Sequence, residues 1–294
     1  MRFVKTLSTG AFALAATALV GQATPLPEGI AGMWGQNPRW NNFECKPTAA
    51  HPTPLVLLHG LGSEGTQHWS VFAPRFAALG YCVFSPTYGS LHGQSFVNGI
   101  DLIENSGHQL SEYIDRVLAS TGASKVNILG HSEGTTVANY YLLKMNGGPK
   151  VDRFAGIGGN FRGTDFHTLI KFLKTIGLYD TGKMLVDPLC KACDQLFLDS
   201  AFIKDLNANG DTVPNVKYLN IITKTEEFVS PIESGFLQDD NPNVRRVYLQ
   251  DLCPLDLSEH IGLMASPTVF AAVNAFFDDS ANQKIDCISA VMPA

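Results

Sequence analysis

Six short apolar runs recur along the chain: Leu55–Leu58, Tyr81–Ser85, Val126–Leu129, Phe154–Ile157, Val216–Ile222 and Arg246–Leu249. Each has the length of a strand, and polar positions do not alternate regularly through them. That is the pattern of parallel strands buried on both faces. Between them lie stretches with helical spacing: Trp69–Leu79, Leu102–Thr121, Ser132–Met145 and Pro267–Phe277. In the second, Ile103, Leu110, Tyr113, Ile114, Val117 and Leu118 fall on one helical face. Strand and helix in alternation predict an α/β domain, with a mostly parallel central sheet flanked by helices. Ligands of such a sheet gather at the carboxyl ends of its strands.

The rhythm breaks over residues 158–215. Phe166, Leu169, Ile170, Leu173 and Ile176 form one apolar stripe, and Leu196, Phe197, Phe202, Ile203 and Leu206 suggest another, with no strand between. We expect a helical cap here, most of its apolar residues packing on the sheet and a few facing a pocket. Residues 24–53 are rich in Pro, Gly and Asn and read as an irregular arm.

The beginning of the chain adds a destination. Arg2 and Lys5 precede a small-residue apolar stretch, Leu7–Val20, and Gly21-Gln22-Ala23 offers a cleavage site. Residues 1–23 therefore read as a secretory signal peptide and 24–294 as one domain. No later stretch has the length and apolar character of a membrane span, so stable membrane insertion is not expected. Removing 1–23 shifts the formal charge from −6 to −8, a balance that excludes nucleic acid as a natural partner. Six cysteines, Cys45, Cys82, Cys190, Cys193, Cys253 and Cys287, suggest three disulfides in an oxidising compartment. Cys190-Lys191-Ala192-Cys193 reads as a short structural bridge, because no second ligand pair makes it a zinc site.

The chemistry centres on Gly130-His131-Ser132-Glu133-Gly134. A serine hydroxyl is a weak nucleophile and needs a base beside it. Here it falls between a strand and a helix, the setting in which a sharp turn lifts a serine out of the sheet. The backbone N–H of Glu133 and that of Leu61, in His59-Gly60-Leu61-Gly62 after the first strand, are the expected oxyanion donors. Of eight histidines, His260 alone lies late in the chain, after the last strand and before the last helix. It is the expected base. Glu226 is the first carboxylate after the strand ending at Ile222 and the leading candidate for the acid. Glu227, Asp239, Asp240, Asp251 and Asp256 compete with it.

APRFAALGYCVFSPTYG (73–89), VNILGHSEG (126–134), NANGDTVPNVKYLNIITKTEEFVSP (207–231) and LQDLCPLDLSEHIG (249–262) together resemble the secreted class 2 triacylglycerol lipases and esterases. The resemblance runs from about residue 40 to 277 and implies the α/β-hydrolase fold. It implies Ser132 as nucleophile, Glu226 as acid, His260 as base, and Leu61 and Glu133 as the oxyanion pair. It also implies the bridges Cys45–Cys82, Cys190–Cys193 and Cys253–Cys287, where six cysteines alone allow 15 pairings. Two positions depart from the family's habit. Glu226 stands where aspartate is common, and Glu133 where glutamine is common. A Glu133 carboxylate pointing inward would oppose an oxyanion, so it is expected to turn away and bond to backbone or to a polar partner.

The expected activity is hydrolysis of a small-molecule or lipid carboxylic ester through an acyl-enzyme, with no metal or organic cofactor. Transfer of the acyl group to an alcohol, or a non-catalytic binding role on the same scaffold, are the alternatives.

Overall fold

The computed structural model describes residues 39–90, 97–175, 190–280, 285 and 287. The expected signal peptide, the arm before residue 39 and Ile176 of the cap stripe lie outside the described residues. The strands are β1 (Leu55–Leu58), β2 (Val83–Phe84), β3 (Val126–His131), β4 (Val151–Ile157), β5 (Lys217–Ile222) and β6 (Val244–Tyr248). They form one sheet in the order β2-β1-β3-β4-β5-β6, every neighbouring pair parallel.

Side chains alternate across each strand and so feed two cores. Val56, Leu58, Ile128, Phe154 and Tyr218 face one side; Leu55, Leu57, Leu129, Ala155, Ile157, Leu219 and Ile221 face the other. The first core is covered by α3 (Ile103–Thr121) and α4 (Glu133–Lys144), the second by α2 (Phe72–Ala78) and α9 (Pro267–Phe277). In α3 the buried Ile103, Leu110, Ile114 and Val117 make the predicted stripe. Gly122 ends the helix in the left-handed region, at φ +76°. Ser266 caps α9 by accepting the N–H of Val269, and Pro267 starts it, where the missing N–H costs nothing.

β4 starts three residues before the expected Phe154, and three further segments shift for a local reason. The strand expected over Tyr81–Ser85 shrinks to Val83–Phe84, because the N–H of Ser85 goes to Asn41 Oδ1 at 2.8 Å and that of Tyr81 to the carbonyl of Phe76. The arm covers this edge through Asn41 and Arg39, which bond to the backbone of Val83. The helix expected over Trp69–Leu79 is a short α1 (Gly65–His68) followed by α2. The last strand starts two residues early and stops at Tyr248, where Leu249 opens α8 (Leu249–Leu252). As an edge strand it leaves Arg245 and Arg246 exposed rather than buried.

Residues 158–215 contain α5 (Phe166–Thr175), α6 (Lys191–Gln195) and α7 (Ala201–Leu206). Leu169, Leu173 and Leu196 join the first core. Disulfides link Cys45 to Cys82, Cys190 to Cys193 and Cys253 to Cys287, as the family resemblance implied. No described helix is long and apolar enough to cross a membrane.

Candidate active site

The strand order reverses between β1 and β3: β2 lies on one side of β1, and β3 to β6 on the other. At such a switch point the loops leaving the two strands diverge and open a crevice. Ser132 sits there, between β3 and α4, with φ +53° and ψ −126°. A non-glycine residue in this region is strained by about 1–3 kcal/mol, and such strain clusters at functional sites. The packing holds it in place. A Cβ on Gly134 would stand 2.5 Å from the carbonyl oxygen of Leu58 and 2.7 Å from that of His59. Glycine thus lets α4 start against the end of β1.

His260 lies on the loop before α9 and is buried. Its Nδ1 is 2.8 Å from Glu226 Oε1 and 2.9 Å from Oε2. Glu226 Oε1 also accepts the N–H groups of Phe228 and Val229, at 2.9 and 3.0 Å. Burial pushes this carboxyl up. The neighbouring His260 ring and the two backbone donors outweigh that and hold it below the ordinary carboxylate range. The ring of Phe228 meets the His260 ring edge to face, with centroids 5.2 Å apart. The acid and histidine loops are tied together: Thr223 Oγ1 donates to the carbonyl of Ser258 at 2.7 Å, and Gln250 Nε2 donates to Thr223 Oγ1 and to the carbonyl of Asp256.

The competing carboxylates are otherwise occupied. Glu227 accepts the backbone N–H of His260 at 3.2 Å, and Asp256 accepts from Ser258 and Ser266. Asp251 pairs with Lys224, and Asp239 binds the backbone of Asp211 and Thr212. Asp240 is exposed.

Glu133 corrects an expectation. Its side chain is buried, against Gly99, where an added Cβ would lie 2.4 Å from Oε2. Neither oxygen has a hydrogen-bond partner among the described residues. Burial without a partner disfavours the charged form and raises the pKa of this acid well above the usual carboxylate range. Its backbone N–H opens α4 and, like the first donors of any helix, has no intrahelical acceptor.

Ser132 and His260 line one cleft with about 300 Å³ of empty volume. Leu61, Leu169, Leu196, Phe228 and Val229 give it apolar walls, and Asn160 and Thr164 add polar groups. The cleft thus brings Ser132, His260 and Leu61 together, with Glu226 behind His260. Glu133 is not among the residues that line it. Sequence reasoning passed over Asn160, Thr164 and Phe228, and also His131 and His68, which sit behind the site. Only His131 carried a local signal, its place inside the serine motif. Among the described residues no group of three or more His, Cys, Asp or Glu side chains could hold a metal ion.

A six-stranded parallel sheet between helices, with a serine on a strained turn after its third strand, defines an α/β-hydrolase. Among solved structures, lipase B of Aspergillus fumigatus shares this fold with a TM-score of 0.57 and 18% identity, covering 79% of this chain and 52% of that one. The mature lipase BlEst2 of Bacillus licheniformis gives 0.56 and 18%, covering 79% and 94%. The chain belongs to the class 2 lipase family, whose sequence pattern matches residues 52–269. A triacylglycerol lipase of Pseudarthrobacter phenanthrenivorans is 30% identical over 134 residues, which are 43% of this chain and 39% of that protein. The chain therefore matches well under half the length of this curated relative.

Proposed function

We propose that the protein is a serine hydrolase of carboxylic esters, of the lipase and esterase type. The observation that carries this reading is the buried contact between His260 Nδ1 and Glu226, in a cleft wall shared with a serine held at φ +53°. In this reading Glu226 holds the Nδ1–H tautomer, leaving Nε2 free to take the proton of Ser132. Ser132 attacks the ester carbonyl, and the N–H groups of Leu61 and Glu133 stabilise the oxyanion. His260 then protonates the leaving alcohol, and water releases the acyl-enzyme. The apolar walls suit an acyl group.

The three disulfides fit an exported protein, and we assign residues 1–23 as its signal peptide and 24–294 as its single domain. Ser132→Ala should abolish turnover of a short p-nitrophenyl ester while the protein stays folded. Undiminished turnover would sink the proposal. Product analysis with an added alcohol separates hydrolysis from acyl transfer, and labelling of Ser132 by a serine-reactive phosphonate excludes a purely binding role.

A further inference from the structure

His131, the last residue of β3, projects to the same face as Leu129, toward the core under α2 and α9. Its Nε2 lies 3.0 Å from the backbone carbonyl oxygen of His260. Its Nδ1 lies 3.0 Å from Nε2 of His68, and Nδ1 of His68 lies 3.0 Å from Ser63 Oγ. A carbonyl oxygen can only accept, so His131 Nε2 carries the proton. In a neutral ring Nδ1 is then an acceptor, and His68 Nε2 must donate to it. His68 Nδ1 in turn accepts the hydroxyl proton of Ser63. One carbonyl thus dictates every proton in the chain. Burial agrees, since it lowers the pKa of both rings well below the ordinary imidazole range, with neighbouring histidines adding to the effect.

The end of this chain matters because of what it holds. The backbone N–H of His260 is fixed by Glu227 Oε2, and its carbonyl by His131. The His131 ring also packs against the His260 ring, with centroids 4.6 Å apart. We infer that His131 and His68 are positioning residues, a one-way strut from Ser63 through His68 and His131 that sets the depth of His260 against Ser132. The inference rests on the reading of His260 as the base. Neither histidine is hydrogen-bonded to Ser132 or to the His260 ring; His131 acts on His260 through its backbone carbonyl and by packing against its ring.

The test uses the whole protein. Nitrogen NMR of isotope-labelled histidines should find both His68 and His131 as neutral Nε2–H tautomers at about pH 7. An Nδ1–H tautomer or an imidazolium at either position overturns the strut. His131→Phe keeps the ring but removes both bonds, and should lower kcat on a p-nitrophenyl ester by roughly 10- to 100-fold, with KM within about twofold. His131→Gln, which can still donate to the carbonyl, should recover most of that loss. In a His260→Ala background, His131→Phe should change the residual rate little, because its effect runs through the missing ring. Equal losses in the Gln and Phe variants, or an undiminished effect without His260, reject the positioning role. If His131→Phe does not fold, His68→Gln against His68→Leu asks the same question one bond further back. The tautomers do not depend on the activity, so full turnover by Ser132→Ala would sink the esterase reading separately.

Discussion

Replacing Glu133 with glutamine is a direct probe of the acid beside the serine. Burial raises the pKa of the folded carboxyl well above its ordinary value of 4.5, so the folded form is expected to keep its proton where the unfolded chain ionises. Above that value the native state binds one more proton than the unfolded state, so stability falls as pH rises. While the folded acid stays protonated, each further pH unit costs about 1.4 kcal/mol, or about 2.7 kcal/mol two units above the ordinary value. Below it the cost vanishes. Glutamine does not titrate and escapes this loss. Its amide N–H groups bring a separate, pH-independent cost of about 1–3 kcal/mol if they find no acceptor. The quantity to measure is therefore the slope of the difference rather than its sign at one pH. Urea unfolding of wild type and Glu133→Gln at about pH 5, 6 and 7 should show the variant gaining on the wild type by roughly 1.4 kcal/mol per unit. Groups common to both proteins cancel, including Glu226, whose lowered pKa works in the opposite sense and at lower pH. Parallel profiles would show that Glu133 is ionised in the folded protein and would refute the reasoning.

Other perturbations give distinct outcomes. Glu226→Ala should cost about 10³- to 10⁴-fold in kcat, since it frees the His260 ring, whereas Glu227→Ala should cost only a few-fold, roughly the loss of one backbone contact; steady-state kinetics on one ester would rank them, and the reverse order would move the acid by one residue. Gly158 has φ +51°, and a Cβ there would stand 3.1 Å from His260 Nδ1 and 3.0 Å from Leu263 Cδ1. Gly158→Ala should therefore lower kcat by about 10- to 100-fold as the ring is displaced, and unchanged kcat would argue that the ring tolerates the shift. Opening Cys45–Cys82, which closes a 37-residue separation, should cost about 4 kcal/mol in unfolding experiments, and opening Cys190–Cys193, with a separation of 3, under about 2 kcal/mol. Equal losses would mean that loop entropy does not govern these bridges.

Much of the fold could be read from local pattern, because parallel strands bury both faces and leave compact apolar words between helices. β1 and α9 have the expected limits. The reading failed where tertiary contacts override the run of apolar residues. Ser85 gives its N–H to Asn41, and Leu249 turns into α8. That Ser132 and His260 would line one cleft, with Glu226 against His260, was legible from their order in the chain and their places after strands. The support behind them was not. Ser63, His68 and His131 join residues far apart in the chain through side-chain nitrogens, and no periodicity marks such a line. The solitary Glu133 was misjudged for a related reason: a sequence reveals a carboxyl group but not whether any partner stands within reach of it.

The stitches between the 223–231 and 250–260 segments, made by Thr223 and Gln250, have a consequence for how the protein can diversify. Acid and imidazole belong to a unit braced by Thr223 and Gln250 and backed by Gly158 and Thr164, while the Leu169 and Leu196 side chains supply wall without bonding to it. Exchanging those two wall side chains can reshape the cleft while Glu226 and His260 keep their mutual spacing. If the proposed esterase reading holds, a change of substrate can thus proceed by remodelling the walls around an unaltered core of the site.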